Sequence, residues 1–195
     1  MSATAIAICG SPRKEGNTET LLQDCLDTLA KAGIGTELVR LSGKSIRPCT
    51  ACCWCREQKD GTCVIKDDDF HPILEKMKAA DIIITGSPVY FGSATPELMA
   101  LLDRAGYVSR GNGQFFSRKL GGALTVGRRS GQNFTLSQLL FWYMINDMVV
   151  PGSTYWTNAF GGAAGEVTED ESGRKTAVRF AENLAWLAGH LIDDS

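Results

Sequence analysis

The chain has 195 residues, enough for one domain with a substantial core, and its 44% hydrophobic and 22% charged residues are the make-up of a globular protein that folds in water. A net charge of −2 gives no general pull toward nucleic acid or an anionic membrane, so neither is expected as a partner. The start, Met1–Cys9, lacks the basic residues and long apolar core of a signal peptide, and no membrane-length apolar run follows, so the expected location is the cytoplasm.

Apolar runs at Ala3–Cys9, Thr36–Leu41, Asp81–Thr85, Leu120–Val126 and Met148–Val150 predict five strands, most of them uniform enough to be buried on both faces. Helices are expected between them. Leu21, Leu22, Cys25, Leu26 and Leu29 form one apolar stripe, and Val178, Ala181, Leu184, Ala185, Ala188 and Leu191 form another. Phe70–Ala80, Pro96–Ala105 and Gln132–Asn146 are further helices. Alternation of strand and helix implies right-handed βαβ units and a doubly wound α/β fold, with ligands beyond the carboxyl ends of the strands. Three longer loops remain: the cysteine segment, Tyr107–Lys119 and Tyr155–Gly173. The whole of 1–195 is read as one domain, with the cysteine-rich loop 47–66 inserted after the second strand.

The first strand runs into Gly10-Ser11-Pro12-Arg13-Lys14-Glu15-Gly16-Asn17-Thr18, where a helix begins. Free backbone N–H groups and the positive end of the helix dipole suit a phosphate there. Ser11, Asn17 and Thr18 add short polar side chains and Arg13 adds charge, and Gly16 is counted with them among the expected binding residues. Neither GxxxxGK[ST] nor GxGxxG is present, so a monophosphate is expected before a nucleoside triphosphate or a dinucleotide. The third strand ends in Pro88-Val89-Tyr90-Phe91-Gly92, whose rings and amides suit a flat heterocycle, and the fourth in Gly127-Arg128-Arg129, whose guanidinium groups suit phosphate, carboxylate or a ring oxygen. Taken singly, these loops also fit a capped helix, a rigid turn and a solvated arginine pair. Their common position at one sheet edge is what points to a single ligand.

From Ala3 to about Val150 the sequence resembles the NADPH-dependent FMN reductase branch of the flavodoxin-like superfamily, and "SPVYFGSATPELMALLDR" and "GRRSGQNFTL" look most like the iron–sulfur flavoproteins of anaerobes. Those proteins usually carry GRRxGGQExT, so the missing second glycine and Asn133-Phe134 are departures. The resemblance implies a flavodoxin-like five-stranded parallel sheet of order 2-1-3-4-5 with helices on both faces. It implies noncovalent FMN, with the phosphate on Ser11–Thr18 and the isoalloxazine against Pro88–Gly92 and Gly127–Arg129. It also implies a homodimer or homotetramer.

Five of the seven cysteines fall between Cys49 and Cys63. Cys49, Cys52, Cys55 and Cys63 spell C-x2-C-x2-C-x7-C, with Cys53 extra; four thiolates so spaced suit a cubane cluster, and the resemblance implies [4Fe–4S]. Zinc, or thiols without metal, remain open alternatives. Cys9 and Cys25 read as core residues, His71 and His190 receive no role, and Asp67-Asp68-Asp69 reads as capping the next helix. The expected function is a redox flavoprotein passing electrons between FMN, the cluster and a partner, with no catalytic acid or base among its side chains. NAD(P)H or a ferredoxin-like protein is the expected donor, and a small molecule such as a quinone or an oxygen species the acceptor. The alternative is a cluster-free NAD(P)H-dependent FMN or quinone reductase, or, in another class, a carrier or redox-sensing module. Phe141-Trp142-Tyr143 and the 155–173 loop are candidate interface material.

Overall fold

The computed structural model describes residues 3–191. Five parallel strands lie in the order β2-β1-β3-β4-β5: β1 (Thr4–Cys9), β2 (Gly35–Arg40), β3 (Ile82–Pro88), β4 (Leu120–Gly127) and β5 (Asn158–Phe160). Because side chains alternate across a strand, β1 sends Ala5, Ala7 and Cys9 to one face and Ile6 and Ile8 to the other. Helices α1 (Asn17–Lys31) and α6 (Glu171–Leu191) pack on the small-residue face; α3 (Phe70–Ala79), α4 (Pro96–Gly111) and α5 (Gln132–Ile145) pack on the isoleucine face. This is the expected doubly wound fold, in the expected strand order.

Glycines in β4 admit large rings on both faces. A Cβ on Gly122 would lie 2.7 Å from the Phe180 ring of α6, and one on Gly121 would lie 2.9 Å from the Tyr143 ring of α5. The Tyr143 hydroxyl, fully buried, donates to Thr85 Oγ1 at 2.9 Å. Cys9 and Cys25 are buried as expected, and burial pushes the Cys9 thiol up to about 11.

Three sequence expectations are corrected. The fifth strand is not Met148–Val150, which makes only one parallel bridge, Val149 to Leu120, at the start of β4. Pro151 and Gly152 interrupt the ladder there, and the chain rejoins the far end of β4 through Asn158–Phe160. The expected loop from Tyr107 is helix as far as Gly111, because Val108 and Ser109 continue the buried face of α4. The expected loop 155–173 holds β5, a 3-10 turn at Glu166–Glu169 and the start of α6. Among the described residues no helix is long and apolar enough to cross a membrane.

Candidate cofactor pocket and cysteine loop

Where β1 ends, Gly10 N–H donates to Gly86 O at 2.8 Å and Thr95 Oγ1 donates to Gly10 O at 2.9 Å, so the first and third strand-end loops start from one fixed point. Ser11 Oγ accepts from Arg13 N–H at 3.2 Å and tightens the turn. Gly16, in extended conformation, precedes α1, whose first N–H groups lack intrahelical partners. Glu19 in that first turn would oppose an anion. Arg40 neutralises it through bonds of 2.9 and 2.7 Å, and these hold its carboxyl below the usual range.

At the end of β3 the Val89 N–H bonds Val126 O of β4 at 3.0 Å, and Tyr90 and Ser93 exchange backbone bonds around Phe91 and Gly92, both at positive φ (51° and 80°). That turn throws the Phe91 ring fully into solvent, while Tyr90, less exposed, lines the pocket. A fourth loop, after β5, closes the site. Asn17 Nδ2 donates to Ala163 O at 2.7 Å, Asn17 Oδ1 accepts from Val167 N–H at 3.2 Å, and Arg13 donates to Gly162 O at 3.0 Å. Glu166 accepts from Gly162 N–H at 2.6 Å, and the bonds from the Gly162 and Ala163 backbone hold its carboxyl below the ordinary range.

These loops enclose a pocket of about 470 Å³, within the span of small-molecule sites. Of the residues expected to bind the cofactor, Ser11, Arg13, Gly16, Asn17, Thr18, Pro88, Val89, Tyr90 and Arg128 line it. Phe91, Gly92, Gly127 and Arg129 do not. Arg129 instead lines a separate groove with Tyr155, Trp156 and Phe160. The sequence reading missed the wall made by Gly161–Ala164 and Glu166. Its signal was a Gly-rich turn after a three-residue strand, too short to show a period of two.

The cysteine loop lies on the outer side of α4. Cys49, Cys52, Cys53, Cys55 and Cys63 all line one cavity, together with Val64, Ile65, Arg104, Tyr107 and Val108. The expected four and Cys53 thus line the same cavity. Burial raises the Cys55 thiol first, and the neighbouring Cys63, Cys49 and Cys52 raise it further. Among the described residues no three His, Cys, Asp or Glu side chains are gathered closely enough for a single metal ion. Left-handed backbone at Ala51, Cys53 and Lys59 folds the loop around a short helix, α2 (Trp54–Gln58), unforeseen because five residues show no periodicity.

Polar contacts hold this loop to the body. Asn112, just past α4, donates to Cys55 O at 3.1 Å and accepts from Gly61 N–H at 2.8 Å; His71 Nε2 accepts from Cys63 N–H at 3.2 Å. His71 therefore presents an unprotonated nitrogen, consistent with a pKa lowered by burial first and by Arg104 and Lys66 next. The acidic triplet caps α3 only through Asp68, which accepts from Phe70 N–H at 3.2 Å, while Asp69 at the N-cap makes no side-chain cap bond. Asp67 pairs with Arg47, Asp69 accepts from Ser45 N–H at 2.8 Å, and Asp68 forms an ion pair with Arg104 in which both side chains are fully buried.

A Cβ on Gly111 would come 3.2 Å from both Arg56 Cα and Cys55 O. Gly111→Ala is expected to change global stability little, because about 1 kcal/mol of gained helix propensity offsets an overpacking cost of similar size. Amide exchange at Arg56 should nonetheless quicken at least severalfold, and an unchanged rate would show that α4 does not seat the loop.

Residues 3–162 match the family described as NADPH-dependent FMN reductase. An iron–sulfur flavoprotein of Methanocaldococcus jannaschii is 41% identical over 188 residues, covering 92% of this chain and 94% of its own. An iron–sulfur flavoprotein of Methanosarcina thermophila is 38% identical over 180 residues, covering 91% of each chain. Among solved structures, a flavodoxin, WrbA-like protein of Agrobacterium tumefaciens superposes with a TM-score of 0.67 at 15% identity, over 97% of this chain and 99% of its own. The matched residues run from the start of β1 past the end of β5 and so take in all five strands and the turns that line the pocket; the chain belongs to the NADPH-dependent FMN reductase family as an FMN-dependent oxidoreductase.

Proposed function

We propose that the pocket beyond β1, β3 and β4 holds FMN, that Cys49, Cys52, Cys55 and Cys63 hold a [4Fe–4S] cluster, and that the chain passes electrons between the two and a redox partner. The observation that carries the reading is the meeting, in one pocket of about 470 Å³, of a helix N-terminus, Arg13, Arg128 and the Pro88-Val89-Tyr90 turn. Bound FMN takes electrons as hydride or singly, and a cluster takes them singly; both are the cofactors' chemistry.

The chain's own residues supply binding and electrostatics. Gly16–Thr18 present backbone N–H groups to the phosphate, Arg13 and Arg128 balance its charge, and Asn17 ties the 161–167 loop over it. Val89 and Tyr90 line the wall next to β4, where a flat ring fits against them. Gly127 packs against the Gln132 side chain and Gly92 lies beside Gly131, so these two shape the turns behind the pocket, whereas Arg129 faces the separate groove. The donor set of the cysteine loop is all thiol, which suits iron–sulfur chemistry. The cavity between these thiols has about 20 Å³.

The family name supports a nicotinamide donor; a ferredoxin-like donor and a quinone or oxygen-species acceptor complete the proposed scheme. The homodimer or homotetramer is supported by Phe141, Met144 and Ile145, which stand exposed on α5 while Trp142 and Tyr143 are buried. The cluster-free reductase rests on the narrowness of the cysteine cavity.

Anaerobic purification with ample riboflavin tests these readings together. Flavin bands over a broad absorbance bleached by dithionite, with iron and acid-labile sulfide in the proportion of a [4Fe–4S] cluster, are expected. Flavin alone would select the cluster-free reductase. Colourless protein that refuses FMN would overturn both.

A further inference from the structure

Arg104 is 1% exposed, the largest fully buried side chain among the described residues, and it forms part of the wall of the cysteine cavity. A guanidinium has five N–H donors in a fixed fork. Its two terminal nitrogens are engaged by Arg47 O at 3.2 Å, Ile65 O at 2.9 Å and the Asp68 carboxylate, while the Phe70 ring lies 3.9 Å beneath the plane. Arg47 and Ile65 stand at the two ends of the cysteine segment. One side chain on α4 therefore pins both ends of the loop. Its Nε–H has no partner. A buried donor left unmade costs about 1–3 kcal/mol, so the acceptor should come from whatever fills the neighbouring cavity.

We propose that Arg104 is a positioning residue for the cysteine site and that its Nε–H donates to a sulfur of the group the thiols hold, favouring that group's reduced state. This rests on the reading that Cys49, Cys52, Cys55 and Cys63 hold an iron–sulfur cluster. The physical cause is twofold. A donor to a cluster sulfur stabilises the added electron, and the buried cation in the wall of the same cavity does the same. Asp68 balances the cation against desolvation without taking up the Nε–H.

The test compares cluster midpoint potentials of anaerobically purified wild-type protein, Arg104→Lys and Asp68→Asn, followed by the magnetic resonance signal of the reduced state, with iron content measured for each. Lysine keeps the charge and loses the planar fork with its Nε–H. Arg104→Lys should retain iron and fall in potential by the equivalent of at least tenfold in the one-electron equilibrium, about 59 mV. Asp68→Asn, which keeps the Nε–H, should not fall. A purely structural role would change stability in both variants and leave both potentials at the wild-type value. If Arg104→Lys does not accumulate folded, the double variant Asp68→Asn/Arg104→Met, which buries no charge, is read by the same criterion. Wild-type protein with a full cluster but an unchanged potential in the variant lacking Nε–H overturns this inference alone; wild-type protein without iron overturns the cluster reading and this inference with it.

Discussion

Asp68→Asn is expected to lower the unfolding free energy by about 3–5 kcal/mol, because it leaves the Arg104 guanidinium charged and buried without its counter-ion. Both side chains of the pair are fully buried, so solvent cannot take over the role of the carboxylate. Burial alone would raise the Asp68 carboxyl; the bonds from Arg104, Arg47 N–H and Phe70 N–H more than reverse that and hold it below the ordinary range. A carboxyl so depressed contributes stability above its unfolded value and loses it as pH falls through the folded one, so this contribution is intact at neutral pH. For a chain of this size the loss corresponds to roughly 6–20 °C in Tm. Asp68→Asn/Arg104→Met should recover part of it, since a pair removed together leaves no unpaired charge. Denaturant unfolding of the three proteins measures this, and a single variant within about 1 kcal/mol of wild type would show that the pair does not hold α4 to the 45–70 segment.

The positions of these charges mark the boundary of what the sequence made legible. Buried parallel strands announce themselves because both faces must be apolar, so β1 and β4 were found to within one residue, and β3 was found although it runs on to Pro88, past the expected end at Thr85. Ser11–Thr18 and Pro88–Tyr90 followed, since a ligand pocket in such a sheet sits where those strands end. The fifth strand escaped detection. Its three residues carry only one buried side chain, Ala159, whereas Met148–Val150 are apolar yet meet Pro151 before they can extend a ladder. The split of Arg128 from Arg129 was equally invisible, because consecutive residues leaving a strand point opposite ways and no pattern says which enters the pocket. Asp67-Asp68-Asp69 resembled a cap in sequence; only the approach of Arg104, thirty-six positions away, distinguishes Asp68 from its neighbours.

Asn17→Ala is expected to weaken FMN binding by roughly 5–150-fold while leaving the fold intact. The side chain donates to Ala163 O and accepts from Val167 N–H, at 2.7 and 3.2 Å, and these bonds tie the 161–167 loop to the start of α1. Two neutral hydrogen bonds contribute about 1–3 kcal/mol in total, and every 1.4 kcal/mol is about tenfold in affinity. If FMN binds only when this loop is closed, the variant must close it at the expense of binding, and the apparent affinity falls by the fraction still closed. Asn17→Asp separates this effect from a change in the helix. A carboxylate at the first position of α1 favours the helix dipole by about 0.3–1 kcal/mol and still accepts from Val167, so the apo-protein should be no less stable than Asn17→Ala. Yet the same charge faces the phosphate and cannot donate to Ala163 O, so FMN affinity should drop below that of the alanine variant. Fluorescence titration with FMN, set beside thermal unfolding of each apo-protein, reads the two quantities independently. Affinities within about twofold of wild type in both variants would mean that the loop after β5 takes no part in holding the cofactor.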